Sequence, residues 1–452
     1  MKKLIAIISA VLSIAATVTA KDFQTGYFLK GYNYAYRLNP ALTPNHSFVG
    51  IPVIGNASIS TGSNVGMNAF VQPLDGSLVT FLHPDISAEN ALSKFNKGAN
   101  KLQTDFNFNI LSLGLKTGRF YQTVDINARS MSTASIPYEL FSFLKDEYSS
   151  SSHFIGKLSA STSNFVELAY GISFNVAGIV KVGARVKGLV GLANMDLSMK
   201  NLEISLDEER WVVRGNGSLT MAIDGIKAVT KADNSLDLSK TIDNIESIKS
   251  PSGYGIALDL GAQVTIIPEY LKVSASITDF GGIGWSNKIN AVSSGTSWSY
   301  TGATNIPLGD DGSISIGDEL SGAFDDFTDI ISLTPEEEVS SFEMLPATFR
   351  AAGELKFMPF MTAGLLATVR TGTFGWSELR ASLNADYKVI SGSVSAAYNT
   401  FGFALGAAAN LNLRYVSLFL GTDALYLGKL TPQGAPVNKL NMHVTTGINI
   451  QF

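Results

Sequence analysis

The last eleven residues alternate between apolar and polar positions almost without exception. Met442, Val444, Thr446, Ile448, Ile450 and Phe452 occupy one parity, and His443, Thr445, Gly447, Asn449 and Gln451 occupy the other. A strand with one face in lipid and the other in a wet lumen needs this period of two. The chain stops at an aromatic residue, Phe452, which suits the signal by which a C-terminal strand enters the insertion machinery of an outer membrane.

The same alternation recurs upstream. Val124, Ile126 and Ala128 oppose Asp125, Asn127 and Arg129, and Val180, Val182, Ala184 and Val186 oppose Lys181, Gly183, Arg185 and Lys187. Tyr254 to Ile266 and Leu271 to Ile277 form an alternating pair joined by a turn at Pro268-Glu269, and Phe401 to Leu411 repeats the pattern. Between Ile110 and Leu111 the phase slips, which predicts a bulge. Runs 179–193 and 195–206 read as separate strands, and the whole count comes to about 14, an even number being the bacterial norm.

Composition supports the same class. Charged residues are 16% of the chain, against about 25% in soluble domains, and the mean hydropathy is +0.18. Yet beyond the first twenty residues no apolar run reaches the ~18 that a membrane helix requires. Hydrophobicity distributed along strands resolves the conflict, because closed barrels satisfy every backbone group within a bilayer. The expected fold is therefore all-β: a transmembrane antiparallel barrel over residues 50–452, in the cell outer membrane.

At the N-terminus, Lys2 and Lys3 precede an apolar stretch from Leu4 to Val18, and Val18-Thr19-Ala20 supplies small residues for cleavage. Residues 1–20 read as a signal peptide cut near Ala20. The absence of cysteine excludes disulfides, thiolate metal sites and lipidation of a cysteine. A net charge of −5 offers no basic footprint for nucleic acid.

Several stretches break the rhythm. Ser87–Asn100 and Pro137–Tyr148 read as short helices, with Pro137 at a first helical position. Residues 224–251 and 281–342 read as long polar loops, which in such barrels face outward. Between Asp310 and Glu343 there are eleven acidic residues and no basic one. This stretch reads first as a solvated loop. Leu320, Phe324, Phe327 and Ile331 would also share one helical face, the mark of a folded lid.

No catalytic constellation or metal-ligand spacing stands out, and the chain is expected neither to be an enzyme nor to hold a cofactor. His46, His83, His153 and His443 have no evident partner; His443 lies on the polar parity of the last strand. Asp310-Asp311-Gly312 lacks the alternating ligands of a calcium loop. Charge on a lipid face costs ~2–4 kcal/mol at the midplane. Arg129, Lys181, Arg185, Lys187, Arg350, Arg370 and Arg380 should therefore face the lumen and pair with acids such as Asp125 and Asp259, whether as structural packing or as a selectivity ring.

Residues 21–49 make a poor membrane strand. They are aromatic and broken by Gly and Pro, as suits a hatch inside a barrel. Tyr27, Phe28, Tyr32, Tyr34 and Tyr36 either line a path for a hydrophobic ligand or pack the plug. Here the run Arg37-Leu38-Asn39-Pro40-Ala41 resembles the Asn-Pro-Ala hatch signature of barrels like the long-chain fatty-acid transporter FadL. It is more similar still to a Bacteroidetes outer-membrane family of unknown function, related also to PorV-like barrels. Further stretches similar to that family include Ile136-Pro137-Tyr138-Glu139-Leu140-Phe141, Thr278-Asp279-Phe280-Gly281-Gly282-Ile283-Gly284-Trp285 and Gly447-Ile448-Asn449-Ile450-Gln451-Phe452. The resemblance covers the mature chain. It implies a plugged barrel, hatch positions Asn39, Pro40 and Ala41, and a small hydrophobic ligand bound or passed, with outer-membrane lipid and the barrel-insertion machinery as partners. The other reading is a barrel that anchors or hands over surface or secreted proteins without transport.

Overall fold

The computed structural model describes residues 22–52, 54–74, 77–81, 83–145, 152–207, 210–244, 249–294, 298–300, 333–425 and 439–452. The signal segment, the acidic stretch 310–332 and the Leu320–Ile331 face lie outside the described residues.

The strands close into one antiparallel ring. β1 (Phe48–Gly50) and β2 (Ala57–Gly66) stand end to end, while the hairpin β3 (Val71–Leu74) and β4 (Ser77–Thr80) lies apart. β5 (Ala99–Thr117) pairs with both β1 and β2, then with β6 (Phe120–Pro137), which leads to β7 (Ser152–Val176) and β8 (Val180–Asp207). Beyond β8 two strands share one place: β9 (Arg210–Ile223) pairs with its upper part and β10 (Gly253–Ile267) with its lower part. Both meet β11 (Leu271–Ser294), and β12 (Trp298–Tyr300) adds to β9. The far edge of β11 takes β13 (Thr334–Pro335), β14 (Val339–Met344) and β15 (Thr348–Met358) in turn. β16 (Met361–Arg370), β17 (Trp376–Tyr387), β18 (Ile390–Asn399), β19 (Gly402–Asn412) and β20 (Val416–Thr422) follow as a meander. β21 (Lys439–Gln451) pairs with β20 and closes on β1 and β2.

One end of the ring has tight turns, several of which require a left-handed backbone. Ala177 and Gly178 have φ of 53° and 77°, the paired positive values of a hairpin turn, and Glu269 has φ of 67°. At the other end the connections are long and carry short helices at Ala88–Leu92, Tyr138–Lys145 and Leu238–Asp243.

The barrel is inside-out relative to a soluble protein. Leu168, Ile172, Val186, Tyr254, Ile256 and Leu365 face outward and are 37–66% exposed, while Asp125, Glu167, Arg185, Lys187 and Asp259 are buried in the lumen. Such a belt places the wall in lipid. No described helix is long and apolar enough to cross a membrane.

Four readings of the sequence are corrected here. The runs 179–193 and 195–206 form one strand, Val180–Asp207, rather than two, because the register shift opposite Leu192 bends β8 without ending it. The stretch 281–342 is not all loop: β11 runs on to Ser294 and β14 begins at Val339. Its alternation is masked by a bulge at Thr278-Asp279, where Leu258 faces Phe280 but Leu260 faces Ile277. Pro137 ends β6 instead of opening the helix, since β6 pairs on to Ala99 through that residue. The slip at Ile110 is a bulge between Asn109 and Leu111. Phe48 and Val49, read as hatch, already pair as β1.

Candidate functional site: the hatch and the filled lumen

The lumen is occupied in layers, beginning at the tight-turn end with residues 22–47. Two 3-10 turns, Gln24–Tyr27 and Ala35–Arg37, compact this segment. Tyr32, Tyr34 and Tyr36 pack with Phe23, Phe48 and Phe419 into one aromatic cluster. Tyr32 meets Phe419 edge-on with ring centroids 5.0 Å apart. Tyr27 and Phe28 form a second cluster with Leu38 and Leu366. Burial pushes the phenols of Tyr32, Tyr34 and Tyr36 above their usual range, so they act as neutral donors. The five aromatic residues read as a candidate path are thus brought together as packed side chains. Beside them, a cavity of about 10 Å³ bordered by Tyr32, Tyr34 and Arg37 is room for one water.

The Asn39-Pro40-Ala41 turn seats against the wall. The Asn39 side-chain amide donates to the Tyr27 hydroxyl at 3.0 Å and to the carbonyls of Ala262 and Ala275 at 3.3 Å, and its own Oδ1 accepts from the Ala41 N–H at 3.0 Å. The wall makes room by having no side chain there. A Cβ on Gly183 would lie 2.2 Å from the Pro40 carbonyl oxygen, and one on Gly261 would lie 2.0 Å from Asn39 Oδ1. Glycine on the lumenal parity of a strand is the sequence signal for such a close approach, and it went unread.

Charged groups of the wall fasten the hatch at its start and at its middle. Asp423 accepts the backbone N–H groups of Gln24 and Thr25 at 2.7 and 2.6 Å. Arg380 donates to the Thr25 hydroxyl at 3.1 Å and to the Asp423 carbonyl at 3.1 Å. Arg350 reaches Asp22 at 3.2 Å and the Leu38 carbonyl at 3.3 Å. Further along, Asp125 accepts from Tyr36 Oη at 2.7 Å, from Arg37 at 3.1 Å and from Arg185 at 2.7 Å.

Asp125 opens a continuous buried charge network. Arg185 bridges to Asp259 at 2.9 Å, and Lys187 joins Asp259 at 2.9 Å to Asp279 at 2.6 Å. Arg129 holds Asp279 through two nitrogens, at 2.8 and 3.1 Å, and meets Glu167 at 3.1 Å. Arg37, Arg129, Arg185 and Lys187 thus balance Asp125, Glu167, Asp259 and Asp279. Sequence parity placed Arg129, Arg185 and Lys187 and two of the acids, Asp125 and Asp259, inward, but neither Arg37 nor Glu167. It missed Asp279, whose φ of 61° in the bulge turns a second consecutive side chain into the lumen. Arg370 meets Asp105 at 2.9 Å, and Lys181 reaches the carbonyl of Thr43 at 3.3 Å.

Above the charges lies an apolar layer that includes Met131, Phe165, Leu189, Trp285 and Phe374. Higher still, a crown formed by the long connections buries Phe81, Phe95, Phe141, Leu236, Leu238 and Leu333 against the strand tips. Phe95 and Phe141 stack with centroids 4.0 Å apart.

Ser58, His443 and Asp423 assemble a likeness of a hydrolase triad. Ser58 Oγ lies 3.0 Å from His443 Nε2, but Nδ1 accepts the backbone N–H of Asp423 at 3.0 Å. A neutral imidazole so fixed carries its proton on Nε2 and donates to Ser58, the reverse of the tautomer that activates a serine. Phe23 stacks on the ring at 5.6 Å. The arrangement supports the hatch.

On the lipid side of the wall, level with the Asn39-Pro40 turn, lies an apolar depression of about 750 Å³. Ile172, Val182, Leu260, Ile277, Phe349 and Val369 line it, with Gly183 and Gly261 in its floor. A second, of about 660 Å³, adjoins it around Leu355, Leu365, Leu383 and Val394.

A closed antiparallel ring with an apolar belt, a charged interior and an internal hatch defines a plugged transmembrane β-barrel. The chain belongs to a family of unknown function, DUF5723, whose sequence profile matches residues 40–423. No curated protein matches it. Among solved structures it is similar to a Pseudomonas aeruginosa FadL homologue, with 10% identity over 96% of this chain and 97% of that one and a TM-score of 0.44. It is also similar to the Pseudomonas putida toluene transporter TodX, with 7% identity, coverage of 96% and 98%, and a TM-score of 0.42. The Ralstonia pickettii toluene transporter TbuX matches at 11% identity, with 92% of each chain covered and a TM-score of 0.39. At this level of likeness nothing follows about what this chain carries.

Proposed function

We propose that this chain is an outer-membrane barrel that binds a small hydrophobic ligand and passes it sideways through its wall. One observation carries the reading: the apolar depression of about 750 Å³ lies outboard of the hatch turn, where Gly183 and Gly261 leave the wall one backbone thick. Its lining is almost wholly apolar, which suits a small hydrophobic molecule. The filled lumen describes a closed state, and passage requires residues 22–47 to shift against the wall. The family resemblance at Asn39-Pro40-Ala41 points the same way. Outer-membrane lipid surrounds the belt, and the insertion machinery reads the last strand with Phe452.

Filling the depression tests this. Ala351 and Ala367 face lipid and line it, so Ala351→Trp with Ala367→Trp should leave insertion intact while lowering uptake of labelled fatty acids or aromatic hydrocarbons at least fivefold. Normal uptake by an inserted double variant would remove the lateral route.

The filled lumen and folded crown also suit a barrel that anchors or hands over surface proteins. That reading expects uptake to be indifferent to both the variant and the gene.

A further inference from the structure

We propose that the tight-turn mouth of the lumen holds a site for a small oxyanion, a phosphate or carboxylate group, between Lys116 and Lys181, with Lys272 alongside. The site is independent of any ligand passage. Lys116 is next to last in β5, Lys181 is second in β8 and Lys272 is second in β11, so all three stand at the same end of the barrel. Each lies on the lumenal parity of its strand, with Gly114, Gly183 and Ser274 as the next inward positions.

Their partners differ from those of the cations deeper in the lumen. Arg37, Arg129, Arg185 and Lys187 each meet a carboxylate. Lys116 Nζ donates to the Asn45 carbonyl at 3.0 Å and Lys181 Nζ to the Thr43 carbonyl at 3.3 Å. Among the described residues neither has a carboxylate within ion-pair distance. Lys272 has Glu354 at 3.7 Å. The charges of Lys116 and Lys272 both act on Lys181. Three cations thus stand at one mouth of the lumen, and among the described residues Glu354 is the acid that meets one of them.

The hatch brings the two ammonium groups together. They are tethered to carbonyls two residues apart, Asn45 and Thr43, and two residues of extended chain span at most about 7 Å. An oxyanion taking N–H···O contacts of about 2.8 Å from both would join them on one ligand. The anion comes either free from solution or as the head of an amphiphile lodged at the membrane rim.

Titration calorimetry on the full mature barrel in dodecyl maltoside separates the sources, with inorganic phosphate and dodecyl phosphate as probes. Binding of inorganic phosphate marks a free anion; binding of dodecyl phosphate alone marks a headgroup. In either case Lys116→Gln with Lys181→Gln should weaken binding at least tenfold, while Lys388→Gln, in the turn between β17 and β18, should leave it unchanged. Heat-dependent gel migration confirms that the variants are folded. Silence with both probes, or equal affinity in the folded double variant, overturns the proposal.

Discussion

Gly183 and Gly261 show how a single missing Cβ decides where the hatch sits. Any side chain there collides with Pro40 or Asn39 within 2.2 Å. Gly261→Leu should therefore displace residues 39–41 and expose the hatch to protease, while a matched Gly188→Leu on the lipid parity should not. Equal resistance of the two variants would refute this seating. Asp125 is the other sensitive position, since it answers both Arg37 and Arg185 from full burial. Removing one partner of a buried pair costs about 3–5 kcal/mol, so Asp125→Asn should lower the temperature of barrel unfolding measurably, by several degrees. His46 gives a pH-dependent case. Burial first, and then Lys116, hold its imidazole below its ordinary value, and it pairs with Asn33 at 3.0 Å. Because the folded value is depressed, its contribution is complete above the unfolded value of about 6.5 and is lost as pH falls through the folded one. Proteolysis of the hatch leg should accordingly accelerate below that pH, and His46→Gln should flatten the dependence. At this scale the sequence disclosed the lumenal cations and Asp125 and Asp259 through parity alone. Asp279 and Asp423 stayed hidden, one because a left-handed bulge inverts its parity and the other because its partners lie some 400 positions away, at Gln24 and Thr25.

Among the elements, β21 is where pattern and structure correspond most directly. His443, Thr445, Asn449 and Gln451 are buried, and Val444, Ile450 and Phe452 are about half or more exposed. Phe452 also locks to the start of the ring, donating to the Ser47 carbonyl at 3.0 Å and accepting from its N–H at 3.2 Å. Deleting Phe452 should impair insertion, with the protein collecting in the periplasm, because an unclosed edge in lipid leaves backbone groups unsatisfied. Gln451→Ala removes one hydrogen bond of 3.3 Å to Asn412, a loss of about 1 kcal/mol, and should leave outer-membrane levels unchanged. Equal damage from both changes would show the face assignment to be wrong. Elsewhere alternation located the strands but not their extents. β8 and β11 run well beyond a bilayer's thickness, and the bulges along them erase the period on which a sequence reading depends.

For the whole molecule, the barrel class was legible because lipid on one side and charge on the other impose a period of two. The state of the lumen was not. Whether Tyr27, Phe28, Tyr32, Tyr34 and Tyr36 line a path or fill one depends on contacts with Phe48, Phe419 and Leu366 that no local pattern encodes. The described state is closed from hatch to crown, so a ligand crosses only if the hatch yields. Uptake of labelled long-chain fatty acids and aromatic hydrocarbons by a strain lacking the gene, beside its parent and a strain with the gene restored, tests that claim most directly. The account predicts a clear loss for at least one such ligand on deletion and recovery on restoration. Unchanged uptake of every ligand would contradict it, leaving a sealed barrel whose work lies with protein partners at the cell surface.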